Sequence, residues 1–580
     1  MRSEMNRIIN YTKNLPEWAF LCLYFGSIFV YSAIVGLQGF DMCDEGWVLS
    51  AYQQIFKHPE SCQYQFLYYN TILVGGVWNL LFGNLGYFGF RLFAAICKVL
   101  VALVVYLTLR KHVNRWAIFA GILLFNFGYA IVFHQNIFTA LLCCTAILFI
   151  FKALQKDDKW FMIVGGMIVG INFFSRLPNL SMLSFSLIFI PYYLYNRDIK
   201  QTLQMMMVAI CGVAIGVLAE VGMMIALGHW NIFVDNIASG TSAASASDST
   251  HSLSNILKVY KGNYITVYKQ LIIFTSFPMA MYFVNKLIDN KKIVKWLLVF
   301  GGCVYFYTLW GAELTFILYA FCYITFLLYL LKHYQDKEIT YLITLASIML
   351  FFLPFGSDYG IGNMGPNCIW FAVPLAVGLF FKLIQDYSYN PYYKKLATIT
   401  LTIFLSALSM HDIYHTSLNC YFDHGSRLKK TSRIHHPLAT TFTSKEKCDF
   451  ADELLSHLEP LVQPDDYLLC FECIPTVNYL TQTRPYLRNS WPWTYDAANM
   501  ERQFQIAREN IDVLPVIVRD KSAIAEWHKH NKDWNSLKSD NQWNFNTKKI
   551  KLIQDFIRDN NYSVNWENDL FQILVPPTEN

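Results

Sequence analysis

The chain has 580 residues, of which 54% are hydrophobic and 17% aromatic, but only 15% are charged, for a net charge of +5. Soluble domains carry about 25% charged residues, and here the charges are unevenly spread: residues 412–580 hold 23 acidic and 19 basic residues, residues 1–411 only 18 and 27. These figures exclude a single soluble globule, a disordered chain, a coiled coil and a small disulfide scaffold, and they argue against nucleic acid as a partner.

What remains is a mainly α polytopic membrane helix bundle (1–411) with a small C-terminal α/β domain (412–580). Apolar runs near 18–40, 87–109, 116–133, 137–154, 160–175, 180–195, 202–227, 271–286, 296–311, 313–331, 338–355, 368–385 and 396–411 predict a bundle of about 13 spans. The first run follows three basic residues, but it is too long for a signal peptide and no A-x-A cleavage site follows, so it reads as an uncleaved helix. Loops at one set of span ends hold 20 Lys and Arg residues, those at the other set five. The basic set is expected on the cytoplasmic side, with the N-terminus, which puts the tail outside.

The first external loop, 41–86, opens on Asp41-Met42-Cys43-Asp44-Glu45, three carboxylates within five residues at a membrane edge. Desolvation makes such a cluster costly, so beside the reading of a solvated turn stands that of a base or a cation site facing a cavity. The 68–82 stretch is apolar but too short to span, is interrupted by Gly75-Gly76, and reads as an interfacial helix. Arg91 and Arg176 lie at the outer ends of the second and fifth spans. Each reads either as snorkelling to headgroups or as a planar fork for a phosphate.

Between the third and fourth spans the turn carries His134, a polar residue at a span end or a contact for sugar or phosphate. Glu220 is the acid well inside the seventh span. The loop at 228–270 holds the small-residue run Ser239–Thr250, read as flexible, and Lys258 and Lys261, which meet lipid phosphates or assist a bound one. The turn at 356–367 is rich in glycine and offers Asp358 and Asn363 to sugar hydroxyls.

In the tail, Lys445–His457 and Ile550–Asp559 have helical spacing, Tyr467–Phe471 and Val513–Val518 read as strands, and Tyr562–Trp566 with Phe571–Val575 as a hairpin. There is no Gly-rich phosphate loop, G-x-S-x-G or H-E-x-x-H. Cys470 and Cys473 form a lone C-x-x-C, read as a redox pair, as two ordinary cysteines, or as disulfide partners of Cys420, Cys448 or Cys368.

Asp44-Glu45 after the first span, a long loop with an interfacial stretch, Leu81-Phe82-Gly83 running to Arg91-Leu92, Arg176-Leu177-Pro178-Asn179 and an external tail resemble the polytopic glycosyltransferases of the GT-C superfamily, in particular bacterial members like family 39. The resemblance implies an inverting hexosyl- or pentosyltransferase of the bacterial inner membrane with a periplasmic tail. It would use a polyprenyl-phosphate-linked sugar and pass it to an external acceptor hydroxyl on a glycan, lipid or protein. It also implies Asp44 as the base, with Asp41 in reserve and Glu45 beside it, and Arg91 and Arg176 on the donor phosphate. Many relatives carry another acid in the second external loop, where Phe133-His134-Gln135-Asn136 stands here. His134 is a candidate ligand there, and metal dependence is left open: the pattern allows a divalent cation, Mg or Mn, without requiring one. Relatives that modify lipid A place a Lys-Pro in the first loop, and none stands between 58 and 75. The rival readings are a transporter or lipid flippase, for which the chain shows no internal repeat, an oligosaccharide ligase relying on Arg and His, and a non-catalytic assembly protein.

Overall fold

The computed structural model describes residues 15–126, 128, 131–245, 252–287, 313–387, 391–423, 425–521 and 541–577, with a few isolated positions between 293 and 304. Among the described residues, seven helices are long and apolar enough to cross a membrane. The chain is thus a multi-pass helical bundle with a small C-terminal α/β region.

Most apolar runs wind as expected: Glu17–Gly36, Gly86–Leu109, Gln135–Lys156, Lys159–Phe173, Ile199–Ala226, Leu314–His333, Lys337–Phe352 and Ile361–Tyr387. Several depart from the reading. The 116–133 run is helical only over Arg115–Leu123, then leaves the helix before His134. The 180–195 run begins as a 3-10 helix, Leu177–Ile188, with Pro178 in its first turn, and becomes α-helical only over Phe189–Asn196. The loop read as flexible at 228–270 is largely helical, as Trp230–Ser245 and Leu253–Leu287. Alanine is the best helix former, and an Ala/Ser run that continues an amphipathic helix extends it. The last five residues of that run, and the 296–311 span but for isolated positions, lie outside the described residues. The final bundle helix, Pro391–Leu418, continues past residue 411 into the tail.

Small residues let two helices meet backbone to backbone. A Cβ on Gly166 would lie 2.4 Å from the Ala209 carbonyl oxygen, and one on Gly170 2.4 Å from that of Val213. From the other side, Cβ atoms on Gly212 and Gly216 would meet the Ile163 and Met167 carbonyls at 2.3 and 2.2 Å. Paired G-x-x-x-G faces thus lock Lys159–Phe173 against Ile199–Ala226, the packing that serves helices in lipid, where hydrophobic burial gives no net drive.

The 68–82 stretch is one unbroken helix, Tyr69–Phe82. Gly75 does not interrupt it but makes room for Tyr52, whose ring lies 2.3 Å from where a Cβ would stand. The far face leaves Leu80 and Leu81 exposed at 67% and 68%, as an interfacial helix requires.

In the tail, two strands, β1 (Lys430–Arg433) and β2 (Phe442–Ser444), pair antiparallel. A five-stranded mixed sheet follows in the order β4-β3-β5-β7-β6: β3 (Tyr467–Phe471) lies parallel to β4 (Arg484–Pro485) and β5 (Val516–Asp520), and β5 is antiparallel to β7 (Phe571–Val575), which pairs with β6 (Ser563–Glu567). The helices Lys445–Leu458 and Asn541–Asp559 carry the segments read as helical, and the hairpin closes the sheet as expected.

The tail is clamped to the first loop. Phe442 donates its N–H to the Leu37 carbonyl and accepts from Gly39, both at 2.8 Å. The Phe40 N–H donates to buried Asp423 at 2.9 Å. The short helix Thr476–Thr481 presses on the helix Asp44–Gln54, where a Cβ on Gly46 would lie 2.0 Å from Thr476 Oγ1 and 2.3 Å from its Cα.

Candidate functional site

The acidic turn separates its three carboxylates into three tasks. Asp41 caps the helix Asp44–Gln54: one oxygen accepts from the Cys43 N–H at 2.7 Å and the other from the Glu45 N–H at 2.8 Å. Two of the N–H groups that the helix start leaves without a partner are thereby satisfied. Glu45 is fully buried and meets Arg91 as a fork, with Nε donating to Oε1 at 3.0 Å and Nη2 to Oε2 at 2.6 Å. Its Oε1 also accepts the Val132 N–H at 2.8 Å. The remaining nitrogen of Arg91, Nη1, donates to the Gly36 and Gln38 carbonyls, each at 3.0 Å.

This corrects the expectation for Arg91. Its side chain is 1% exposed and every nitrogen is committed to Glu45 or to backbone carbonyls, so none is left for a phosphate. It corrects Glu45 and Asp41 likewise: one is the counter-ion of a structural guanidinium, the other a helix cap. Nor do the three carboxylates gather into a cation ligand set, since Asp41 and Glu45 spend their oxygens on backbone N–H groups and on Arg91.

Asp44 is the carboxylate the turn leaves available. It is half-buried, and its Oδ2 accepts a hydrogen bond from the hydroxyl of Tyr421, which comes from the segment after the last bundle helix. Burial pushes its carboxyl above the ordinary aspartate range; the Tyr421 hydroxyl works the other way, and the charges of Glu45 and Asp358 add to the rise. Asp358 also lies within electrostatic reach of Tyr68 and Arg176. The 356–358 turn leans on the Arg176 segment: at Gly356, where φ is +86°, a Cβ would stand 2.5 Å from Pro178 Cβ. Arg176 itself is 5% exposed, and its Nη1 is buried without a hydrogen-bond partner. A buried guanidinium nitrogen without a partner is costly unless a ligand completes it.

Residues 75–224 match the family model described as dolichyl-phosphate-mannose-protein mannosyltransferase. Over that segment the chain is similar to membrane glycosyltransferases of the GT-C type. The matched segment contains Arg91, His134, Arg176 and both paired glycine faces, and it ends within the helix Ile199–Ala226. No curated protein matches the chain.

The other expected site residues take different places. His134 belongs to the structural shell of Glu45: its Nδ1 bonds the Val132 carbonyl at 3.0 Å, next to the N–H that Glu45 accepts. Burial pulls the ring down to about 4; the Val132 bond opposes this, and Lys98 adds to it, so the imidazole is neutral. Asn363 accepts from Asn136 Nδ2 at 2.9 Å and fastens the glycine-rich turn to the start of Gln135–Lys156. Lys258 and Lys261 are exposed on Leu253–Leu287, and among the described residues no ion pair ties them to Asp44 or Asp358. Glu220 hydrogen-bonds Asn70 and so braces the start of the interfacial helix.

Sequence reasoning missed Tyr421 and Tyr68. Tyr421 follows the last bundle helix at the end of the bundle that carries the acidic turn, and Tyr68 directly precedes the interfacial helix. A phenol at either place was the available signal.

Proposed function

We propose that the enzyme takes a sugar from a polyprenyl-phosphate-linked donor at the outer face of the membrane and transfers it, with inversion, to an acceptor hydroxyl. Asp44 takes the hydroxyl proton and Arg176 holds the donor phosphate. The observation that carries this reading is the buried Nη1 of Arg176, unpartnered and beside the turn of Asp358, whose charge also reaches Asp44. A phosphate leaving group needs charge compensation more than covalent help, and a guanidinium supplies it in planar form. The family model bears the name of enzymes using dolichyl-phosphate-mannose, which supports a lipid-linked donor.

The chemistry asks little else of the site. A raised carboxyl near the working pH is the better general base, because protonation state and driving force are then matched. The Tyr421 hydroxyl orients Asp44 by its hydrogen bond, and Asp358 is available to sugar hydroxyls beside it. The test is donor binding by Arg176→Met and Arg176→Lys, measured with a lipid-linked sugar in detergent. Arg176→Met is expected to weaken donor binding about 10- to 100-fold, on the order of a lost charged hydrogen bond, and Arg176→Lys less. Unchanged donor affinity in a folded Arg176→Met protein would remove Arg176 from the phosphate.

A further inference from the structure

Two cysteines far apart in sequence meet beside the proposed base. Cys43 precedes Asp44 as the cap residue of Asp44–Gln54, and Cys473 lies two residues beyond the end of β3. Their side chains hydrogen-bond to one another, and both carry free thiols. The backbone around them is fixed by independent contacts. Thr476 donates its N–H to the Met42 carbonyl at 3.2 Å and its hydroxyl to the Asp41 carbonyl at 2.9 Å. The Tyr87 hydroxyl bonds the same Asp41 carbonyl at 2.9 Å. Glu472 holds a left-handed φ of +76°, unusual for a residue with a Cβ, at the turn that leads from β3 to Cys473.

We propose that Cys43 and Cys473 form a disulfide that fastens the turn bearing Asp44 to the tail. The other thiols read as partners are placed elsewhere: Cys420 forms a β-bridge with Asp423 and packs against Gly39. Cys470 is buried in the sheet core among Leu454, Val477 and Val518. Cys448 bonds the Arg433 carbonyl and Asp452. Cys368 lies inside the helix Ile361–Tyr387. The C-x-x-C is therefore not a local redox pair: its second cysteine pairs with Cys43 of the first loop.

The thiols are unequal in the way oxidation needs. The hydrogen bond from Cys43 holds Cys473 below the ordinary cysteine range against the opposing effect of burial, and the same bond, with burial, raises Cys43. Cys473 as thiolate attacks one sulfur of an oxidant disulfide, such as that of a thiol–disulfide oxidoreductase, and expels one thiol. Cys43 then loses its proton and attacks Cys473 Sγ of the mixed disulfide, which releases the second thiol. Two protein thiols are oxidised, the oxidant disulfide is reduced, and no metal or oxygen is consumed. The proposal rests on the outer-face orientation of the tail, where such oxidants persist.

The test uses the full-length protein purified from aerobic membranes without reductant. It is denatured in one alkylating agent, reduced, labelled with a second and digested for mass spectrometry. The expected result is that Cys43 and Cys473 carry only the second label and that the unreduced digest holds one peptide pair joined through them. Reductant should also lower the melting temperature of the wild-type protein and not that of Cys43→Ser, or of Cys473→Ser where the first variant does not fold. First-label alkylation of both cysteines, or a cross-link from either to another cysteine, would overturn the proposal. Neither readout depends on sugar transfer, so the result stands apart from the proposed function.

Discussion

Replacing Arg91 by Met separates a structural guanidinium from a phosphate-binding one. Arg91 gives four hydrogen bonds, two to Glu45 at 3.0 and 2.6 Å and two to backbone carbonyls at 3.0 Å. Methionine removes all four and leaves Glu45, with no exposed side-chain surface, as an unpaired buried charge. Breaking one side of such a pair costs about 3–5 kcal/mol. Adding Glu45→Gln removes the stranded charge while the amide oxygen can still accept the Val132 N–H. Neutralising both partners is expected to return about 1–3 kcal/mol of the loss, the coupling usual for residues in contact. Arg91→Lys falls between, because one ammonium cannot reach Glu45 and both carbonyls together. The assay is thermal melting in detergent, in parallel with binding of a lipid-linked sugar. The expected order of stability is wild type, then the double variant, then Arg91→Met, with donor affinity of the folded double variant close to wild type. An Arg91→Met protein that melts like wild type but has lost donor binding would refute the structural role and return Arg91 to the phosphate.

Two further outcomes follow from the same geometry. Because burial and neighbouring charge raise the Asp44 carboxyl, the base is lost to protonation as pH falls through that raised value; the acidic limb of the sugar-transfer rate is expected above the ordinary aspartate value of about 3.9, and a rate still flat at about pH 4 would contradict it. Gly46→Val places a side chain where a Cβ alone stands 2.0 Å from Thr476 Oγ1 and 2.4 Å from its backbone N; limited proteolysis is expected to release the tail faster than from wild type, and an unchanged digestion rate would show that the tail is not docked on this helix.

The bundle was legible wherever apolar runs were uninterrupted, because lipid leaves the backbone few alternatives to a helix. It was less legible at Leu177–Ile188, where Pro178 and the polar anchoring of Asn179 to Thr139 and Asn172 favour a tighter winding over hydropathy. The described part of the Ala/Ser run, 239–245, was read from composition rather than propensity; as the end of Trp230–Ser245 it continues a helix already nucleated. In the site, the acidic turn was found but its division of labour was not. The pairing of Glu45 with Arg91 joins residues on different segments, and only the fold brings the fork to the carboxylate. A hint was present all the same: opposite charges at the same end of two neighbouring spans are expected to pair rather than stay separately solvated. Tyr421 offered only a phenol after the last bundle helix, and Cys473 only a C-x-x-C spacing that pointed to Cys470; what gives both their meaning is the tail folding back onto the first loop.

The most direct measurement of the central claim is single-turnover sugar transfer by Asp44→Asn in proteoliposomes, with donor binding read on the same preparation. Asparagine keeps the size of the side chain and an oxygen for Tyr421, so the turn should hold while the base is lost. The account predicts donor affinity near wild type and a transfer rate lower by about 10²- to 10⁴-fold, the range of a general base. Transfer at close to the wild-type rate by a normally folded Asp44→Asn protein would contradict it.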